Sequence, residues 1–319
     1  MPVPIDWLSG LLEMMPVRGH LDLRCFYGAP WRLDLPSSEA GEIPYHAIVG
    51  GSAIFENPAG GPRHHLEAGD ILVLLHGGAH ILHDGSGASP SPAKNRANLN
   101  LTFSENAGTG ERLDMMCGRF VLSPTHDRLL RDYLPPVLIV RAAERSAAAA
   151  RPGTEAQVAG LVGLMRSESA IETLGGHAML DALSTAMFTL TLRLASELEE
   201  APVGLLALAG NPRLAPALAA LFREPERPWS LPELARLCNM SRATLARHFQ
   251  NKLGRSAADL LLDIRMTLAA NKLKKSGAST AAVAEEVGYQ SEAAFQRAFK
   301  QRMGITPAQW RRTEHAMAE

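Results

Sequence analysis

The 319-residue chain predicts an α+β protein of two domains: an antiparallel β-barrel or sandwich, then an all-helical unit. Three observations lead there. From about residue 21 to 140, short apolar runs alternate with Gly, Pro, Ser and Asn, as in LDLRCFYGAPWRLDL, YHAIVGGSAIF, HHLEAGDILVLL, ANLNLTF and DMMCGRFVL. That is the spacing of short strands joined by turns. In the last hundred residues one helical pattern occurs twice, with Ser241/Ser291, Leu245/Phe295, Phe249/Phe299 and Gly254/Gly304 each 50 apart. The charge is also divided. Residues 210–319 hold 17 Lys+Arg against 10 Asp+Glu, a net of +7, and the remainder holds 15 against 23, a net of −8. A basic C-terminal part suits phosphate contact, and an acidic N-terminal part does not.

Taken in order, residues 1–20 read as a short amphipathic helix with Ile5, Leu8, Leu11 and Leu12 at helical spacing and Pro16 as the stop. The strand-rich region fills out a first domain over 1–140. Its most loop-like stretch is HDGSGASPSPAKNR, His83 to Arg96. Residues 141–155 (RAAERSAAAARPGTE) read as a linker. The segment 156–200 reads as two helices broken at Gly175-Gly176, with Met179, Leu183, Ala186, Met187, Leu190 and Leu194 forming a stripe. The connector 141–210 is the candidate dimer contact of a homodimer. The third region, 211–319, is read as helix throughout: a leading helix, the first motif, a connecting helix from about Ala257 to Lys275, the second motif and a turn at Thr306-Pro307.

Composition narrows the class. Three cysteines cannot make a secreted disulfide framework. No apolar run approaches the roughly 18 residues of a membrane span, and MPVPIDWLSGLLEMMPVRG lacks the features of a signal peptide. The expectation is a cytoplasmic protein with no membrane partner.

Each C-terminal motif has a small residue where two helices cross, Ala235 or Ala284. Leu234, Leu237, Leu245 and Phe249 form one core, and Val283, Val287, Phe295 and Phe299 the other. Asn239 and Gly288 stand in the turns, where residues tolerant of a left-handed backbone belong. Ser241 and Ser291 are placed to cap the helices that follow. A duplicated helix-turn-helix can lay two recognition helices on double-stranded DNA.

The segment from about 211 to 313 resembles the DNA-binding domain of AraC/XylS-type bacterial transcription regulators, most closely over VAEEVGYQSEAAFQRAFKQRMGITPAQWRR. Ser256-Ala257 departs from the Ser/Thr-Pro pair common there. The resemblance implies a sequence-specific regulator, activator or repressor, with promoter or operator DNA and RNA polymerase as partners. It places Arg242, Thr244 and Arg247 of the first recognition helix, and Glu292, Gln296 and Arg297 of the second, toward the bases, beside Ala243, Ala246 and Ala293. Arg247 and Arg297 can each give two hydrogen bonds to a guanine, and Gln296 can pair with adenine. Thr306 is placed at phosphate, which positions without specifying.

PWRLDL, Tyr45-His46, EAGDILVLLHGGAHIL, Cys117-Gly118-Arg119-Phe120 and Leu134-Pro135-Pro136 resemble the cupin-type N-terminal domain of one branch of these regulators, some members of which sense oxidants through cysteines. Cys25 and Cys117 match positions where cysteine recurs there. Two such thiols can switch between thiol and disulfide if their Cα atoms come within about 7 Å. Arg24 and Arg119 nearby would favour thiolate. Free cysteine also serves as a small buried hydrophobe, and Cys238 among Leu234, Leu237 and Leu245 reads that way. His64-His65 are adjacent, so on a strand only one enters the barrel. Convergence of His46, His65, His80 and His83 on a metal ion or small ligand is the remaining expectation, and its extreme form is a metal-dependent cupin enzyme fused to a DNA-binding domain. Otherwise the protein is not an enzyme and needs no cofactor.

Overall fold

The computed structural model describes residues 6–141, 153–198, 201–274 and 277–316. The expected linker at 141–155 lies largely outside them. The chain divides into two compact units. One holds Val17–Arg131 and Pro135–Leu198; the other holds Met1–Pro16, Asp132–Leu134 and Glu199–Glu319.

Helix α1 (Trp7–Met14) opens the described chain and belongs to the second unit. The Asp6 carboxylate caps it, accepting from the Leu8 and Ser9 amides at 2.9 and 3.0 Å. This satisfies donors that a helix start leaves unpaired. Leu8, Leu11 and Met14 are buried.

The strands of the first unit are β1 (Arg18–Gly28), β2 (Arg32–Leu35), β3 (Glu42–Gly50), β4 (Ser52–Glu56), β5 (His64–Glu67), β6 (Asp70–Val73), β7 (His80–His83), β8 (Ala93–Ala97), β9 (Thr102–Asn106), β10 (Arg112–Val121) and β11 (Leu138–Arg141). Helix α2 (Asp127–Tyr133) lies between the last two. A seven-stranded sheet has the order β11-β6-β3-β10-β1-β9-β8, and a four-stranded sheet the order β2-β7-β4-β5. Pairing is antiparallel except between β1 and β9. The segment read as a loop, 83–96, contains the start of β8.

Alternation along the strands builds the core. Cys25 and Tyr27 of β1, Ile48 of β3, Phe55 of β4, Leu66 of β5, Leu72 of β6, Leu82 of β7, and Leu113, Met115 and Cys117 of β10 share one buried cluster. The opposite face of the large sheet is covered by α3 (Thr154–Ala170) and α4 (Gly176–Glu197). There the Tyr45 hydroxyl meets Ser184 Oγ at 2.8 Å, and the Phe120 and Phe188 rings lie 4.8 Å apart. Gly118 makes this covering possible. A Cβ on it would fall 2.1 Å from the His20 carbonyl oxygen and 2.6 Å from the Tyr45 hydroxyl.

Helix α4 is long and apolar enough to cross a bilayer by length and composition alone, and it lies on the large sheet. Its buried face only partly follows the stripe read from the sequence, sharing Met187 and Leu194. Leu180, Ser184, Met187, Phe188, Thr191, Leu192, Leu194 and Ala195 are buried, whereas Met179 is 47% exposed and Ala186 is exposed.

The second unit is helical: α5 (Leu205–Ala209), α6 (Ala215–Arg223), α7 (Leu231–Leu237), α8 (Arg242–Leu253), α9 (Ala257–Lys274), α10 (Thr280–Glu286), α11 (Glu292–Met303) and α12 (Pro307–Ala316). The turn expected at Thr306-Pro307 thus leads into a further helix. Met266, Ala269, Ala270 and Leu273 of α9 pack with Val283, Ala284, Val287, Phe295, Phe299 and Trp310 in one cluster. Ser256 caps α9, accepting from the Asp259 amide at 3.1 Å, so Ala257 opens the helix without a proline.

Candidate nucleic-acid interface and a buried thiol–imidazole chain

The two helix-turn-helix motifs close their first helices in the same way. After α7, Asn239 has φ +50°, the only positive φ of a non-glycine residue among those described; after α10, Gly288 has φ +85°. The Asn239 amide donates to the Arg236 carbonyl (3.1 Å) and Met240 to Ala235 (3.0 Å); Gly288 donates to Glu285 (2.9 Å) and Tyr289 to Ala284 (2.9 Å). This double bond pattern is the Schellman ending of a helix. The second turn is one residue longer, since Gln290 precedes the cap. Ser241 then accepts from the Thr244 amide at 3.1 Å and Ser291 from the Ala294 amide at 3.3 Å. Recognition helices α8 and α11 have 12 residues each, and Leu245, Phe249, Phe295 and Phe299 are fully buried.

The faces left outside carry the residues expected at DNA. Arg242, Arg247, Glu292, Gln296 and Arg297 are exposed, and Thr244 is half-buried. Two of the six are engaged with each other: the Gln296 amide donates to Glu292 Oε1 at 2.9 Å. Thr244 Oγ1 lies 2.9 Å from Ser241 Oγ, so its hydroxyl belongs to the cap. Thr306 is likewise the start of α12, its hydroxyl donating to Gln309 Oε1 at 2.9 Å.

In the β unit, four side chains distant in sequence form one buried chain. Cys25 Sγ and Cys117 Sγ are 3.9 Å apart, Cys117 Sγ and His46 Nδ1 3.1 Å, and His46 Nε2 and His80 Nε2 2.8 Å. His80 Nδ1 lies 3.0 Å from the Gly78 carbonyl oxygen. The register explains the assembly. β1, β10 and β3 are adjacent, His46 is the direct cross-strand partner of Cys117, and Cys25 is diagonal to it because Leu23 stands opposite Cys117. His80 comes from β7 in the other sheet. Cys25 is 1% exposed, Cys117 8%, His46 4% and His80 2%.

Burial sets the charge states, since low dielectric disfavours the ionised form. His46 is pushed down to about 3 by desolvation and by the neighbouring His80. His80 is lowered by desolvation, partly opposed by its bond to Gly78. Both rings are therefore neutral near pH 7. The hydrogen bond it shares with Cys117 holds the Cys25 thiol below its ordinary value against burial, while Cys117 itself is raised by that pairing and by desolvation.

A cupin family model matches residues 6–197 and a helix-turn-helix domain model matches residues 234–313. The chain belongs to the AraC family of transcription regulators with an N-terminal cupin domain. Over 310 residues it is 29% identical to an HTH-type transcriptional regulator of Haemophilus influenzae, covering 97% of this chain and 99% of that one. Over 314 residues it is 25% identical to the RCS-specific HTH-type transcriptional activator RclR of Escherichia coli, covering 98% and 100%. The crystal structure of the DNA-binding domain of AdpA in complex with a target DNA shares 29% identity over 34% of this chain and 96% of that one, with a TM-score of 0.32. The full-length relatives are transcription regulators and not enzymes.

Within this AraC-family regulator the expected four-histidine convergence does not form. His46 and His80 face the interior. His65 lies on the other face of β5 from the buried Leu66, with its side chain 58% exposed and Glu67 at 3.6 Å. His83 lies on the opposite face of β7 from His80, 3.2 Å from Glu56. Strand alternation, which separates residues an odd number apart, accounts for both. Among the described residues no group of three or more His, Cys, Asp or Glu side chains stands where it could hold one metal ion. The arginines expected to favour thiolate also turn elsewhere. Arg24 is on the outer face, bonded to both Asp114 oxygens at 3.1 and 2.9 Å. Arg119 pairs with Asp22 at 2.5 Å and Glu42 at 3.3 Å. Sequence reading did not anticipate the bond between His46 and Cys117, because nothing local reveals the register of β3 on β10. Cys238 is buried in the helical unit, as expected.

Proposed function

We propose that this AraC-family regulator is switched by oxidation of Cys25 and Cys117. The observation that carries the reading is the 3.9 Å approach of two sulfurs enclosed in one sheet face. A disulfide needs about 2.05 Å. Diagonal strand neighbours have Cα atoms roughly 7–8 Å apart, beyond the usual disulfide range. Closing the bond therefore draws β1 and β10 together, and α4 rests on both strands: the Gly19 amide of β1 donates to Thr185 Oγ1 at 2.8 Å. An oxidant is thereby converted into a displacement of the helix through which the chain leaves the cupin domain. That one full-length relative is described as RCS-specific agrees with an oxidant as the signal.

At the output, α8 and α11 enter successive major-groove segments of promoter DNA, with Arg242, Thr244, Arg247, Glu292, Gln296 and Arg297 reading bases. The protein acts in the cytoplasm as a homodimer and contacts RNA polymerase. The exposed Leu164, Ile171, Leu174 and Met179 at the α3–α4 turn supply an apolar surface for the second subunit.

The test is footprinting of the purified regulator on its own upstream DNA, reduced and after mild oxidant, beside Cys25→Ser and Cys117→Ser. A footprint or affinity that changes in the wild type alone supports the switch. Identical responses in all three proteins overturn it. A small-molecule signal would then fall to a cavity of about 190 Å³ between β3, β6 and α3, lined by Ile48, Ile71, Val162, Asp70 and Arg166.

A further inference from the structure

The thiol–imidazole chain carries a polarity that can be worked out atom by atom. The Gly78 carbonyl can only accept, so His80 Nδ1 bears the ring proton. A neutral His80 then offers a lone pair at Nε2, and the 2.8 Å contact requires His46 to donate from its own Nε2. His46 Nδ1 is left as an acceptor. Its partner at 3.1 Å is therefore the Cys117 S–H, and Cys117 sulfur is free to accept from the Cys25 S–H. Every proton points from Cys25 toward Gly78. Beside this chain the Tyr27 hydroxyl also bonds to Cys25, its own proton going to Ser104 at 2.8 Å, while Arg24 is paired with Asp114 and Arg119 with Asp22.

We propose that these four side chains are a proton relay whose reversal leaves Cys25 as thiolate and His80 as imidazolium, making Cys25 the sulfur that attacks a hydroperoxide-class oxidant. The inference rests on the oxidant reading above and names the chemistry of that site. In the shift Cys25 gives its proton to Cys117, Cys117 gives its own to His46 Nδ1, and His46 gives its Nε2 proton to His80. Afterwards every bond of the chain persists with its direction reversed: His80 donates to His46, His46 to Cys117, and Cys117 to the Cys25 thiolate. The bond from His80 to Gly78 is unchanged. The charge separation spans the domain core without any group losing a partner, which matters where an unpaired buried charge is costly.

The chemistry balances. The Cys25 thiolate attacks one peroxide oxygen, the O–O bond breaks, and the leaving hydroxide takes the Cys117 proton, which His46 replaces from Nδ1 as His80 returns a proton to His46 Nε2; the products are water and Cys25 sulfenic acid, and the chain is back in its starting tautomers. The Cys117 proton then passes to His46 Nδ1, and the His46 Nε2 proton to His80, as the Cys117 sulfur attacks the Cys25 sulfur. The second hydroxide leaves with the His46 Nδ1 proton, and His80 restores the one at Nε2. Two thiols lose two electrons to one peroxide, and the products are one disulfide and two waters. His46 and His80 are positioning and proton-holding residues; the sulfurs react.

The test follows disulfide formation in the full chain with hydrogen peroxide, using peptide masses for Cys25 and Cys117, from pH 6 to 9. Wild type is compared with His80→Gln, whose amide can accept from His46 but cannot take a proton. The wild-type rate is expected to be nearly flat across neutral pH. The variant should be at least tenfold slower at pH 7 and gain about tenfold per pH unit as hydroxide replaces the relay. Sulfenic acid trapping with dimedone should label Cys25 in Cys117→Ser and leave Cys117 unlabelled in Cys25→Ser. A variant rate equal to wild type at pH 7, a loss of equal size at every pH, or labelling of Cys117 alone overturns the relay. If wild type forms no disulfide at all, the oxidant reading itself fails.

Discussion

His46 is tolerated in the barrel core only while it is uncharged, and that gives the domain a built-in sensitivity to acid. Its folded value of about 3 lies below the ordinary 6.5, so the unfolded chain binds the extra proton first. Stability from this group is complete above pH 6.5 and is lost as pH falls toward 3, by up to about 1.4 kcal/mol per pH unit. Urea titrations between pH 7 and 4.5 should show His46→Gln losing stability less steeply than wild type; parallel slopes would refute the assignment. At the DNA face, Arg247→Ala and Arg297→Ala should each cost about 1–3 kcal/mol on the cognate site and relax discrimination at one base pair, measured as the ratio of cognate to random DNA affinity. The residue types at both places were legible in sequence: the exposed face of each recognition helix, and two cysteines that the fold brings to 3.9 Å. The histidines were legible only as candidates. Which two turn inward depended on strand faces, and their meeting with Cys117 depended on a register that nothing near either residue encodes.

The duplicated motif shows what an element can reveal in advance. Its capping serines, small crossing residues and turn residues stood at the right spacing, and the structure places each of them in that role. The left-handed glycines of the two motifs nevertheless differ in kind. Gly288, in the turn of the second motif, holds φ +85°, and a Cβ there would lie 2.1 Å from the Glu226 carbonyl oxygen, whereas Gly254, which ends α8 of the first, holds φ +66° with nothing within 4 Å. A left-handed alanine costs about 1–2 kcal/mol. Gly254→Ala should lose about that much in urea unfolding, and Gly288→Ala distinctly more, since backbone must also move. Equal losses would show that the backbone around Gly288 yields at no cost. Helix α4 shows the limit of the same reasoning. Its sequence stripe was drawn through large apolar residues, but the buried face includes Ser184 and Thr191. Ser184 meets the Tyr45 hydroxyl at 2.8 Å, and Thr191 Oγ1 donates to the Met187 carbonyl at 2.7 Å. Polar residues satisfied in this way can line a buried face, and periodicity of hydrophobic residues alone misses them.

On the scale of the molecule, the helical unit is assembled from three separate stretches of chain. The Tyr133 hydroxyl donates to Asp263 of α9 at 2.6 Å, Arg255 pairs with Asp132 at 2.9 Å, and Asn271 donates to the Met14 carbonyl at 2.7 Å. A gene fragment beginning at the codon for Glu199 encodes every residue proposed to read DNA, yet omits all three of these outside partners and the buried side chains of α1. Such a fragment should melt at a lower temperature than the helical unit within the intact protein, by calorimetry, and adding the Met1–Pro16 stretch as a peptide should recover part of the loss. Dissection at a single boundary, the usual way to isolate a reader or exchange it between regulators, would thus deliver an incomplete domain. A chimera that keeps α1 and the end of α2 with their own helical partner is the one expected to retain native stability.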